Sequence, residues 1–207
     1  MNSRNGLRNI TPVNTAIIII NVITFIALEI LGDTNSAWFM YEHGAAEAES
    51  VMMYHEYWRL ITCMFMHFGI RHLVNNMIVL AFIGDNLERA VGKLRYLVIY
   101  FGSGFLASAA SAYVAWRQGN TTVSAGASGA IFGVVGALIY VLIAHRGVYE
   151  DLSLQRVILF AVLSIYLGFQ NSHTDNIAHL AGIIFGLILC IIVYNPNKES
   201  HRTGRYS

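Results

Sequence analysis

Long apolar runs separated by short polar connections fill most of the chain. Six of them have the length a bilayer asks of a helix, about 17–25 residues. They fall at roughly 13–31, 68–87, 95–116, 127–145, 154–170 and 177–194. The pattern predicts an all-α polytopic membrane protein, a single domain over residues 1–207 built as a bundle of six transmembrane helices. The first run follows Arg4 and Arg8, as a secretory leader would. Its length, and the lack of a small-x-small cleavage site after it, predict a retained span. Several runs sit near the short limit, which suits helices packed inside a bundle or a protein that thins its bilayer.

Composition sharpens the picture. The chain is 56% hydrophobic and only 12% charged, where soluble domains carry about 25% charged residues. So much apolar sequence in so short a chain needs lipid as solvent. A net charge of +1 gives no reason to expect a nucleic-acid partner. Cys63 and Cys190 lie in apolar surroundings and read as packing thiols. No CxxC occurs, so the cysteines offer no zinc-ribbon or dithiol redox motif.

Basic residues set the orientation. Arg4, Arg8, Arg89, Lys93, Arg95, Arg146, Arg156, Lys198, Arg202 and Arg205 fall in one set of connections and termini; Arg59, Arg71 and Arg117 fall in the other. This asymmetry predicts cytoplasmic N- and C-termini. The 32–67 connection is then outside, with Trp38 and Trp58 suited to the headgroup layer.

Polar residues within apolar runs are costly and face the bundle interior or a wet cavity. The second run opens with His67, His72, Asn75 and Asn76, the fourth with Ser128, and the sixth carries His179. The predicted topology brings all three starts to the outer side. His72 and Asn76, four apart, share a helix face. His179, Gly182 and Gly186 form one stripe, and Gly126, Ala130, Gly133 and Ala137 a similar one. Such stripes let membrane helices approach closely, and would bring the Ser128 hydroxyl within reach of the His179 imidazole. That is the pairing an activated serine nucleophile needs. Three histidines near one face also invite zinc. However, His67 and His72 are five apart, so on one helix they project to different sides, and no carboxylate completes a set.

Each feature taken singly is a packing residue. Together, on one face and in this order, the residues resemble the rhomboid family of intramembrane serine proteases, over nearly the whole chain. Trp58-Arg59 is similar to the family's first-loop WR pair, and His67, His72 and Asn76 to its HxxxxHxxxN pattern. The segment 84–92, with Glu88, is similar to its glycine-glutamate-glycine element; Gly126-Ala127-Ser128-Gly129 is GxSG, and Ala178-His179 with Gly182 and Gly186 is AHxxGxxxG.

The resemblance implies a Ser128–His179 dyad without an acid. It implies an oxyanion hole from the His72 and Asn76 side chains and the Ser128 backbone N–H. Gly126, Phe132 and His67 would support the site, with Phe132 packed on the His179 ring. Trp58-Arg59 would brace the outer loop, and Glu88 would anchor the cytoplasmic end of the second span. Asn75 has no assigned role. The expected activity is cleavage of transmembrane substrates in a bacterial plasma membrane, near their extracytoplasmic end. A catalytically inactive, client-binding relative is the alternative. A small transporter or channel would instead carry ionisable residues deep in its spans.

Overall fold

The computed structural model describes residues 11–150, 152–170 and 174–196. Arg4, Arg8, Lys198, Arg202 and Arg205, half of the basic residues behind the predicted orientation, lie outside them. Helix occupies each of the six apolar runs. Among the described residues three helices are long and apolar enough to cross a membrane by themselves: α1 (Pro12–Leu31), α7 (Lys93–Arg117) and α10 (Asn176–Val193). A fourth candidate is the pair Arg59–Phe65 and Gly69–Val91, bent by 90°. Two shorter apolar helices, α8 (Ser128–Ala144) and α9 (Leu154–Phe169), complete the set.

The connection after α1 is folded, not loose. It holds α2 (Ala37–Glu42), α3 (Ala48–Met52) and α4 (Arg59–Thr62), which runs on as a 3-10 turn over Cys63–Phe65. Ser36 caps α2 through the Phe39 N–H, and the Glu47 carboxylate caps α3 through the N–H groups of Glu49 and Ser50. Arg59 holds these pieces together. It is buried, pairs with Glu56, donates to the carbonyls of Tyr41 (2.6 Å) and Ala45 (3.0 Å), and lies between the Tyr41 and Trp58 rings. A guanidinium with several donors in a planar fork suits such a hub.

The second run is longer than its hydropathy suggests. α5 (Gly69–Val79) passes through a π-turn at Leu80–Gly84 into α6 (Asp85–Val91), and Gly92, at φ 83°, ends it. A π-turn frees a backbone carbonyl, and the Leu80 carbonyl accepts from Asn14 Nδ2 at 3.0 Å. Tyr96 donates to the other end of the same amide, Asn14 Oδ1, at 2.7 Å. Glu88 proves to serve α1 as much as its own helix: its carboxylate accepts from the N–H groups of Val13 (3.2 Å) and Asn14 (2.7 Å). It thus satisfies two of the donors that any helix start leaves free, and does so while buried.

α8 is apolar all round and buried at most positions, the profile of a central helix. Its closest neighbour is α10. A Cβ at Gly186 would fall 2.5 Å from the carbonyl carbon of Gly133, and one at Gly182 would fall 3.2 Å from the Gly133 nitrogen. The stripe that meets α10 is Gly129, Gly133 and Gly136, not the predicted Gly126, Ala130, Gly133 and Ala137. Ala130 faces α7 instead, beside Gly104. α8 has small residues on two faces because it has a close neighbour on each. The structure adds one β-hairpin, Val148–Tyr149 with Leu152–Ser153, between α8 and α9.

Candidate active site

The segment leading to Ser128 is held residue by residue. Ser124 and Ala46 exchange backbone hydrogen bonds of 2.7 and 2.9 Å. The Gly126 N–H donates to the Cys63 carbonyl at 2.9 Å, and the Ala127 N–H to His67 Nε2 at 3.4 Å. Gly126 has φ 138°, a conformation that L side chains rarely adopt, and a Cβ there would fall 2.8 Å from the His72 ring. Both facts require glycine at this position. α8 then starts at Ser128 with no side-chain cap, so the N–H groups of its first turn remain available.

His72 and Asn76 converge on this turn from α5. A Cβ on Gly126 would also lie 3.7 Å from Asn76 Nδ2. Asn76 is buried, and its Nδ2 has no hydrogen-bond partner. An orphaned buried donor costs about 1–3 kcal/mol, and a catalytic role is one of the reasons a protein keeps one. Asn75, next in sequence, is exposed.

His67 and His72 are not separated as their spacing suggests. The two rings meet edge-on with centroids 5.1 Å apart. His67 precedes the helix, which begins at Gly69 with φ 69°, so the five-residue helical offset does not apply to it. Among the described residues no group of three or more His, Cys, Asp or Glu is placed to hold a metal ion.

His179 is buried in the first turns of α10, and Phe132, one turn into α8, stacks on its ring at 4.1 Å and 21°. Its Nδ1 has no hydrogen-bond partner, and among the described residues no hydrogen bond joins it to Ser128. Ser128 is half-buried. A cavity of about 600 Å³ opens nearby between α1 and the start of α5, lined by Phe25, Glu29, Phe68 and Arg71 among others, but Ser128 and His179 do not line it. The connection after α1 packs a small core of Met40, Ala45 and Met66, with Leu28 of α1, against Val123 and Ala125 of the loop that enters α8.

The sequence reading overlooked Asp175. Its carboxylate caps α10 through the Ala178 N–H at 2.9 Å and accepts from Ser111 (2.6 Å) and Ser124 (2.8 Å). The one local signal was an N-cap residue type four positions before His179.

The family model of the Rhomboid domain matches residues 54–196, which include His67, His72, Asn76, Ser128, Asp175 and His179. The chain belongs to the rhomboid family. Its helices fit that family's polytopic membrane fold. It is 36% identical to the rhomboid protease GluP of Bacillus subtilis, over 82% of this chain and 32% of that protein. It is 30% identical to the putative rhomboid protease YdcA of the same organism, over 70% of this chain and 72% of that one. RHOMBOID-like protein 5 of Arabidopsis thaliana is 40% identical over 73% of this chain and 48% of its own length. The chain thus spans about a third to a half of several longer rhomboid relatives. Rhomboid membership and the apolar helices give a multi-pass membrane protein.

Proposed function

We propose that this rhomboid is a serine endopeptidase that cuts transmembrane segments of other membrane proteins near their extracytoplasmic end. The observation that carries the reading is the convergence at the start of α8. An uncapped helix start bears Ser128, the His72 ring and a buried Asn76 whose Nδ2 has no partner among the described residues lie beside Gly126, and α10 brings in the Phe132-stacked His179.

In this reading Ser128 attacks the scissile carbonyl and His179 takes its proton, then returns it to the leaving amine. Negative charge develops on the carbonyl oxygen. Asn76 Nδ2, His72 and the first-turn N–H groups of α8 donate to it, helped by the positive end of the helix. Among the described residues no hydrogen bond joins Ser128 to His179; in this reading it forms in the Michaelis complex, where catalytic bonds often tighten. No metal or cofactor enters the scheme.

All six apolar helices cross the membrane in this proposal. α8 has 17 residues, about 25 Å at 1.5 Å per residue, against a hydrocarbon core of about 30 Å. A short central helix sets Ser128 below the surface yet within reach of water. The basic-residue asymmetry puts both termini in the cytoplasm and the site on the outer side of the plasma membrane. Substrates with small or helix-weakening residues near the cut are favoured, since a helix conceals its peptide bonds.

The inactive, client-binding alternative shares the fold and parts from this reading at Ser128. The test is fluorophosphonate labelling and turnover of a transmembrane substrate by wild type and Ser128→Ala. The proposal expects both signals in wild type and neither in the variant. A folded wild type with no labelling and no turnover would favour the client-binding protein.

A further inference from the structure

We propose that Asp175 is a positioning residue that sets the axial register of His179 against Ser128, through a hydrogen bond from the Ser124 hydroxyl. This rests on the serine-peptidase reading above.

The α8–α10 contact leaves one degree of freedom unspecified. Gly129 and Gly133 meet Gly182 and Gly186 backbone to backbone. Such a contact fixes how far apart two helices lie. Along these glycines no side-chain knob resists sliding, and the face-to-face stack of Phe132 on His179 can slip in its own plane. A slide of one helix past the other would carry His179 away from Ser128, while the distance between the helix axes barely changed.

The loop before Ser128 does not supply the missing constraint by its other ties. Ser124 pairs with Ala46, Gly126 with Cys63, and Ala127 with His67. All three partners precede α5. The tie that reaches α10 is the Asp175 carboxylate. One oxygen accepts from Ala178 N–H at 2.9 Å and holds the first turn of α10, where the His179 N–H in turn donates to the Asp175 carbonyl at 3.2 Å. The other oxygen accepts from Ser124 at 2.8 Å and from Ser111 of α7 at 2.6 Å. One carboxylate thus connects the element bearing the base, the segment four residues before the nucleophile, and the long helix beside both. Bonds to an ionised oxygen are shorter and roughly twice as strong as neutral ones. A one-ångström misplacement of reacting groups can cost about a hundred-fold in rate, so a register tie of this kind acts on turnover more than on substrate binding.

Ser124→Ala tests this best, because it leaves the Asp175 cap and the Ser111 bond in place and so keeps the fold. Purified full-length protein is assayed on one transmembrane substrate, with active sites counted by fluorophosphonate titration. Ser124→Ala should lower kcat per titrated site about ten-fold, near the lower end of what a hydrogen bond to a charged group is worth. KM should stay within about two-fold, because that bond touches no substrate. Ser124→Thr, which keeps the hydroxyl, should restore kcat. In an Asp175→Ala background, Ser124→Ala should have no further effect. A Ser124→Ala protein with wild-type kcat per site, even one with a lower thermal midpoint, would overturn the positioning role, as would full additivity with Asp175→Ala. Ser128→Ala runs alongside. If it abolishes turnover while Ser124→Ala is silent, only the role of Asp175 falls; if it leaves turnover intact, the serine reading falls and takes this role with it.

Discussion

Adding one methyl group at Gly186 should do more damage than almost any other change of that size in the protein. An alanine Cβ there would lie 2.5 and 2.6 Å from the carbonyl carbon and Cα of Gly133 and closer still to its carbonyl oxygen, where ordinary contact begins at 3.4 Å. The helices would have to part by about 0.9 Å or more on the carbon distances alone, and the obstacle is backbone, which cannot rotate away. Overpacking of this kind costs about 1–3 kcal/mol, occasionally more, and here the upper end applies. At about 2–4 °C per kcal/mol for a chain of this length, that is a fall of roughly 6–12 °C in thermal midpoint. The same separation withdraws His179 from Ser128, so turnover should fall on the order of a hundred-fold. Gly102→Ala is the control. Its Cβ would meet only the end of the Leu189 side chain, at 2.9 Å, which can swing aside, so the cost should stay below about 1 kcal/mol. Thermal inactivation in detergent and kcat on one substrate read both effects. A Gly186→Ala protein with wild-type midpoint and turnover would mean that α8 and α10 do not meet along these glycines, and the geometry drawn for the dyad would go with them.

Asn76→Ala should reduce kcat about 10²–10³-fold with little change in KM, while Asn75→Ala, on an exposed position, should have the smaller effect; the reverse order would show that the register assigned to α5 is wrong. Glu88→Ala should cost about 2 kcal/mol, because it strands the buried Asn14 N–H and the part-buried Val13 N–H, whereas Glu88→Gln keeps an acceptor and should cost less; a thermal midpoint unmoved by Glu88→Ala would refute the cap. A reporter active only in the cytoplasm should be active when fused after Tyr194 and silent when fused at Gly119, and the opposite result would put Ser128 on the cytoplasmic side.

Different parts of the molecule were legible in the sequence to different degrees, for physical reasons. The positions of the long helices could be read because lipid solvates apolar side chains but no bare backbone, so every apolar run of sufficient length becomes helix. The candidate site residues could be singled out for the converse reason. His72, Asn76, Ser128 and His179 are polar groups in apolar runs, and lipid tolerates such groups only where the protein shelters them. Helix pairing carries no comparable penalty. Two faces of α8 bear small residues, and sequence alone gave no reason to choose Gly129–Gly133–Gly136 over the stripe through Ala130. That choice depends on α7 taking the Ala130 side, a contact made by Gly104 from a separate helix. The contact between His67 and His72 was hidden in the same way, because one positive φ at Gly69 ends the helical spacing from which their separation was judged. Asp175 was hidden most completely. A cap residue is a local feature, but its hydrogen bonds to Ser111 and Ser124 cross 64 and 51 positions of chain. A serine hydroxyl in a membrane helix or loop has many bland uses, so nothing in either segment marks it as a partner. Residues whose polarity lipid penalises therefore stand out in the sequence, whereas those that align them show only once the helices are packed.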